Sequence, residues 1–356
     1  MAQINKPTDY FKAVAYSGNG TDNSATQSVS MGLQPDLCWI KNRNLTGASN
    51  QAHHLFDSVR GGNIRLMTDF TSAESDKSDR FDGITSTGFD LVQDDAGTNR
   101  SDGTYVAWGW KANGSGSSNT DGSITSTVSA NTTAGFSIVS YTGTGSAATV
   151  GHGLGVAPSV IINKCRSAGQ NWATYHKSLG GTKALFLDGT DGETTSSSYF
   201  NNTDPTSSVF SVGNSGDTNL SSGTHISYCF AEKKGYSKFG KLQSIGENSN
   251  VFVYTGFKPA FVIIKANVTD SWANWYMFDN ARDPHNLTEL ALYTNLSKAD
   301  DEYGGSNYSQ IDMLSNGFKI MRDSNWGVGA AGQTSIYMAF AEQPLVGTND
   351  IPATAK

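Results

Sequence analysis

Two four-residue stretches of this 356-residue chain have the residue types and spacing to suggest chemistry. Asp57-Ser58-Val59-Arg60 and Asp279-Asn280-Ala281-Arg282 each set an acid three residues before an arginine. Two carboxylates about 5 to 9.5 Å apart across a cleft would be the machinery of glycoside hydrolysis. In the middle of the chain the corresponding stretch is Thr174-Tyr175-His176-Lys177-Ser178-Leu179, where acid and arginine have gone together. Joint loss is what a structural ion pair predicts, since a buried charge left without its partner is costly. The acids therefore read as scaffold.

Other chemistries find less support. The chain has no Gly-x-Ser-x-Gly elbow, no His-Glu-x-x-His and no Walker sequence, and Gly151-His152-Gly153 is not followed by a helix pattern. Of the six histidines (His53, His54, His152, His176, His225, His285) only His53 and His54 are close in sequence. On a strand such neighbours point to opposite faces and chelate poorly. Cys38, Cys165 and Cys229 occupy unrelated positions, which excludes a disulfide framework or a metal knuckle. Acid-rich turns at 188–193 and 76–82 offer oxygens to Ca²⁺, but neither has a calcium-loop pattern, and Lys77 and Arg80 oppose a cation. No catalytic residue, metal ligand or cofactor is expected. Trp39, Trp108 and Trp110 lie in strand patterns, and Trp172 and Trp275 fall on a recurring aromatic tag. Trp272 and Trp326 lie in stretches of their own and are the candidates for stacking on a glycan or touching a partner.

The elements that position these residues come in three copies. Pro35-Asp36-Leu37-Cys38-Trp39-Ile40-Lys41 returns as Pro158-Ser159-Val160-Ile161-Ile162-Asn163-Lys164 and as Pro259-Ala260-Phe261-Val262-Ile263-Ile264-Lys265, a spacing of domains rather than of solenoid units. An aromatic-led strand pattern precedes each copy, at 11–16, 136–141 and 239–244. The aromatic tag, a further strand pattern (88–92, 209–212, 317–320) and a closing run from threonine to a large aromatic (Thr104 to Trp110, Thr224 to Phe230, Thr334 to Phe340) follow. Apolar runs are short and bounded by Gly, Asn, Asp and Ser, and helical periodicity is weak.

The expected fold is all-β: three tandem antiparallel β-sandwich, jelly-roll-like modules related by internal repeat, each of roughly eight strands. Modules are expected at 8–112, 135–235 and 236–346, with a flexible Gly/Ser/Thr-rich linker at 113–134 and a tail at 347–356. Within the linker, 123–131 alternates weakly enough to add an edge strand. Helical turns are expected at 71–74, 188–193 and 295–300, from capping residues followed by acids.

A net charge of −7 without a lysine or arginine cluster argues against nucleic acid as a partner. The most basic spot, Glu232-Lys233-Lys234-Gly235-Tyr236-Ser237-Lys238, reads as a solvated junction. No apolar run is long enough for membrane insertion. The opening residues lack a signal-peptide core, so synthesis in a reducing cytosol is expected and triplets such as Asn44-Leu45-Thr46 read as composition.

Four stretches carry a family resemblance: 135–143 (Gly135-Phe136 to Thr142-Gly143), 151–158 (Gly151-His152 to Ala157-Pro158), Tyr228-Cys229-Phe230-Ala231-Glu232 and 253–259 (Val253-Tyr254 to Lys258-Pro259). Through them, and through Tyr337-Met338-Ala339-Phe340-Ala341-Glu342, the chain resembles uncharacterised multi-module β-rich virion structural proteins of marine tailed bacteriophages (cyanophage- and pelagiphage-like). The resemblance implies a surface-exposed, non-enzymatic virion component, assembled in the host cytoplasm. A tail or host-recognition (fibre or adhesin) part acting by multivalent docking is expected, with a capsid decoration protein and a glycan-degrading tail depolymerase as alternatives. Expected partners are other virion proteins, host surface glycan and further copies in a homo-oligomer.

Overall fold

Side chains that alternate with a period of two suit a pleated strand, and the short apolar runs fold accordingly. The computed structural model describes residues 2–21, 25–45, 52–244, 250–300, 310–322, 332–347 and 352–354. It is all-β, with several antiparallel sheets.

Each repeat builds an inner sheet from four recurrent strands in one order. These are an opening strand (Phe11–Ser17, Phe136–Thr142, Ser237–Gln243), a closing strand (Thr104–Trp110, Thr224–Phe230, Thr334–Pro344), the proline-to-lysine strand (Leu37–Asn42, Val160–Cys165, Phe257–Ala266) and a tag strand (His53–Asp57, Ala173–His176, Trp275–Asp279). A smaller outer sheet covers one face. It is formed by Gln27–Ser30, Gly88–Leu91 and Phe81–Thr85 in the first repeat, by Ala148–Gly151 and Val209–Val212 in the second, and by Phe252–Tyr254, Gly317–Arg322 and Gln310–Leu314 in the third. In the second repeat the helical turn Ser197–Phe200 replaces the third strand and sends Phe200 into the core.

Between the two sheets of each repeat lies a core of its own, containing Cys38, Ile40 and Phe89 in the first, Val139, Ile161 and Phe210 in the second, and Val262, Ile264 and Phe318 in the third. Alternate residues of the same strands (Leu37 and Trp39, Val160 and Ile162, Phe261 and Ile263) enter a fourth core shared by all three repeats. Burial on both faces is why these strands are apolar at successive positions. At the centre of the shared core the aromatics that end the recurrent closing run meet pairwise: Trp110 to Phe230 at 6.1 Å between ring centroids, Trp110 to Phe340 at 5.5 Å and Phe230 to Phe340 at 5.6 Å. They mark a pseudo-threefold axis. A void of ≈ 10 Å³ lined by these aromatics makes the axis a packed core and not a pore.

Three local expectations change. Residues 113–134 are not a free linker: Ser117–Asn119 and Ser126–Asn131 extend the second repeat's inner sheet beyond its opening strand. Asp36 fixes the start of this stretch by accepting hydrogen bonds from the amides of Ala112 (2.6 Å) and Gly114 (2.9 Å). No helical turn forms at 71–74, 188–193 or 295–300, because each segment is drawn across to a neighbouring repeat by the acid it carries. In the third repeat the opening strand is offset: Ser237 faces Phe340, where Phe11 faces Trp110 and Phe136 faces Phe230. An offset of two keeps the face, so Phe239 still enters the shared core.

Cores that share strands should melt together. Calorimetric and van't Hoff unfolding enthalpies should agree for the whole chain, and Phe340→Ala should cost about 3–5 kcal/mol without splitting the transition. Separate transitions for the repeats would count against the shared core.

Candidate functional site

The residues that looked most chemical are drawn into the seams between repeats. Asp57 and Asp279 have zero exposure and four donors each. Asp57 accepts from the amides of Val59 (3.1 Å) and Arg60 (2.9 Å), from Arg60 Nε (2.5 Å) and, across the seam, from Tyr228 Oη of the second repeat (2.8 Å). Asp279 accepts from the amides of Ala281 (3.1 Å) and Arg282 (3.0 Å), from Arg282 Nε (2.6 Å) and from Trp108 Nε1 of the first repeat (3.1 Å). The two arginines also donate to backbone carbonyls, Arg60 to those of Ile64 and Leu55 and Arg282 to those of Leu290 and Met277, and Nη1 of each lies 3.7 Å from a further acid, Glu74 and Asp300. In the second repeat His176 Nδ1 accepts the Ser178 amide (3.2 Å), and Nε2 faces the Tyr337 carbonyl of the third repeat (3.3 Å), so these partners assign a neutral imidazole protonated on Nε2. The position that supplies Trp108 and Tyr228 is there filled by Met338, which has nothing to donate. Acid, arginine and cross-seam donor are thus lost as a set.

Three further contacts repeat around the ring. The lysine ending each proline motif is fully buried and reaches a carbonyl of the neighbouring repeat: Lys41 to Lys298 (2.7 Å), Lys164 to Thr71 (2.7 Å) and Lys265 to Thr190 (3.1 Å). Burial pushes Lys164 and Lys265 down to about 8, which leaves them mainly protonated at neutral pH. Two residues on, Arg43 pairs with Asp300 (2.6 Å), Arg166 with Glu74 (2.8 and 2.9 Å) and Asn267 with Glu193 (2.7 Å). Ring nitrogens complete the set, with His53 facing the Tyr293 carbonyl (2.7 Å), Trp172 that of Met67 (2.9 Å) and Trp275 that of Phe186 (2.8 Å). Every contact runs from first to third, second to first or third to second repeat. The ring is closed.

The histidine pair splits as strand geometry requires: His53 bonds Trp39 and Tyr293 in the seam, while His54 packs beside Phe56 in the first repeat's own core side. The acid-rich turns are also engaged, Asp188 by the Trp172 amide, Glu193 by Lys183 and Asn267, and Asp76 by the Ser78 amide. Among the described residues no group of three or more His, Cys, Asp or Glu could hold a metal ion.

With the scaffold accounted for, departures from the repeat become the informative positions. Trp272 is 52% exposed in a turn beyond the Ala266 end of its strand, and Trp326 lies outside the described residues. At the opposite end of that strand, where the second and third repeats join, is a cleft of ≈ 660 Å³. Lys177, Lys233, Lys234 and Lys238 line it with a single acid, Glu232. Glu232 bridges Lys177 and Lys238, each at 2.6 Å. Burial alone would raise its pKa, yet the two lysines bring it below the usual range. Lys233 and Lys234 have no ammonium partner among the described residues, and burial lowers the pKa of Lys233. Tyr254, 58% exposed, forms part of the wall. Its neighbour on the same face of the edge strand is Phe252, 45% exposed.

Register shows how particular these residues are. Ser58 and Asn280 stand where Lys177 does, Asn113 and Gln343 where Lys233 does, and Gly114 and Pro344 where Lys234 does. Tyr254 replaces Ser30 and Gly151, and Phe252 replaces Ser28 and Thr149. The solvated junction expected at 232–238 is therefore one wall of a cleft, and Tyr254, on the exposed face of an edge strand, carries no motif that marks it in the sequence. Lysine at positions held elsewhere by Ser, Asn, Gly, Gln or Pro was the available signal.

Compared with known proteins, the chain matches the family model described as Domain of unknown function (DUF7483) over residues 6–344, a span that takes in all three repeats. No curated protein and no solved structure matches it.

Two measurements check the seam. His176→Asp should cost about 3–5 kcal/mol in urea unfolding, because Leu179 and Met338 offer the carboxylate no partner; adding Leu179→Arg and Met338→Tyr should recover most of it. A triple variant no more stable than the single one would separate these positions from the Asp57 and Asp279 sites. Burial also pushes His176 and His225 down to about 4. The unfolded chain takes up these protons near pH 6.5, so stability should be complete above that pH and fall by up to about 3 kcal/mol per histidine down to pH 4. His176→Gln should remove the His176 share of that fall and leave the share of His225 in place.

Proposed function

The chain belongs to this DUF7483 family, and we propose that it is a non-enzymatic structural protein of a bacteriophage particle, exposed on the surface and serving the tail or host-recognition apparatus. The observation that carries this reading is the closed ring: one chain supplies three near-equivalent faces about one axis, a form suited to seating on a symmetric assembly. Residues able to do chemistry are consumed in its seams, whereas Lys177, Lys233, Lys234 and Tyr254, each peculiar to one repeat, line an open cleft. The likeness to β-rich virion proteins of marine tailed phages supports the same reading, and several copies on one particle would let weak contacts add. A capsid decoration role is the second reading, favoured by the same axis because capsid lattices also have threefold positions.

Purified particles of a phage encoding this chain decide between these. A small fixed copy number by quantitative mass spectrometry, tail labelling by antibody and blocked adsorption are expected. A copy number matching the capsid lattice would establish decoration instead, and absence from the particle would overturn both readings.

A further inference from the structure

We propose that the cleft between the second and third repeats binds an acidic glycan, a chain of sugars bearing carboxylate or sulfate groups. The inference rests on the host-recognition reading and names the ligand class. Four lysines face one acid in a protein whose net charge is −7, so the positive potential is local to this cleft. Glu232 is already shared by Lys177 and Lys238, which leaves Lys233 and Lys234 to meet an incoming anion. Partial burial that disfavours the Lys233 cation is a cost that a bound carboxylate or sulfate would reverse.

The remaining wall favours a sugar over an acidic peptide. Tyr254 leans over Gly256, whose added Cβ would meet the ring at 3.6–3.8 Å, and 58% of the residue stays exposed. An aromatic platform beside cations suits a pyranose, which offers a flat C–H face and charged or hydroxylated edges. The apolar lining is aliphatic, Val156, Ala157, Ala231, Leu345 and Val346, with Tyr254 as its one aromatic ring, and so lacks the cluster of aromatic walls that holds a peptide's anchor side chain. Lys177, Lys233 and Lys234 of the second repeat converge here with Lys238 and Tyr254 of the third, and all but Lys238, which has Lys12 as its counterpart, replace a small or neutral residue elsewhere in the ring.

The test titrates the full chain with oligomers of a polyuronate, a sulfated polysaccharide, neutral dextran, a poly-glutamate peptide and inorganic sulfate. Binding of at least one acidic oligosaccharide, none of dextran, and weakening with added salt are expected. Lys233→Glu with Lys234→Glu should reduce affinity roughly tenfold or more. Tyr254→Ala, which leaves every charge in place, should weaken the glycan and not sulfate. Circular dichroism and melting of each variant confirm that it folds. Equal affinity for dextran, for poly-glutamate or for sulfate alone would overturn the proposal, as would no acidic binding by the folded chain or unchanged binding by both variants. Self-association abolished by the lysine variant would assign the cleft to a second copy instead. Antibody labelling of particles is independent of all these titrations, so a virion protein that binds no acidic glycan refutes this inference alone.

Discussion

Each inner sheet has two apolar faces, and its own outer sheet can cover only one. A single repeat would leave Leu37 and Trp39, or their counterparts, against water, so none of the three can be a finished domain. Three sheets turned toward a common axis bury the second face of each, and the aromatic triangle of Trp110, Phe230 and Phe340 fills the point where they converge. The fold is thus a sandwich locally and a threefold bundle of sandwiches globally. The outer layer confers little on the axis, which explains why the second repeat can trade an outer strand for the turn Ser197–Phe200 without disturbing the ring.

Apolar burial has no direction, and three sheets could slide about the axis without losing much of it. The seam contacts supply direction. A head-to-tail interface that closes after three steps leaves no free end, and here every step is made by the same set: a buried lysine on a carbonyl, the residue two further on paired with an acid of the neighbouring repeat, and a ring nitrogen on a second carbonyl. Buried ions are weak sources of stability, but a buried lysine displaced from its carbonyl would be severely destabilising. We therefore read the seams as fixing register more than as adding free energy. Their consistency also explains a joint substitution: His176, Leu179 and Met338 remove carboxylate, guanidinium and donor at once and leave neutral groups that need less.

Much of this was legible from the residues. Strand positions follow the recurring aromatics and prolines, and the loss of acid and arginine together already marked Asp57–Arg60 and Asp279–Arg282 as pairs. What stayed hidden lies between repeats. Lys41, Lys164 and Lys265 were visible as a landmark with no stated purpose, because their acceptors at Lys298, Thr71 and Thr190 belong to other repeats and carbonyls leave no sequence signal. The segments at 71–74 and 295–300 carried local helix-capping patterns, and the partners of Glu74 and Asp300 across the seam overrode them. Propensity is a weak prior where a charge has a distant partner.

Symmetry also sets a limit on where specificity can reside. A ligand contacting only shared positions would find three equal sites, whereas the lysine and tyrosine substitutions exist once per chain. They cost the ring nothing, since Ser58, Asn113 and Ser30 show that the scaffold does not need them. Lys233 and Lys234 also lie where the chain passes from one repeat to the next, through Gly235, whose φ is 76° and where an added Cβ would fall 2.7 Å from Gln3 Cγ. The Ile4 amide donates to the Lys234 carbonyl at the same point (3.0 Å) and the Lys233 amide to Ser237 Oγ (3.1 Å), which fixes the backbone that carries these lysines. A rigid frame beneath freely varying side chains is the arrangement in which recognition can change while the ring is preserved.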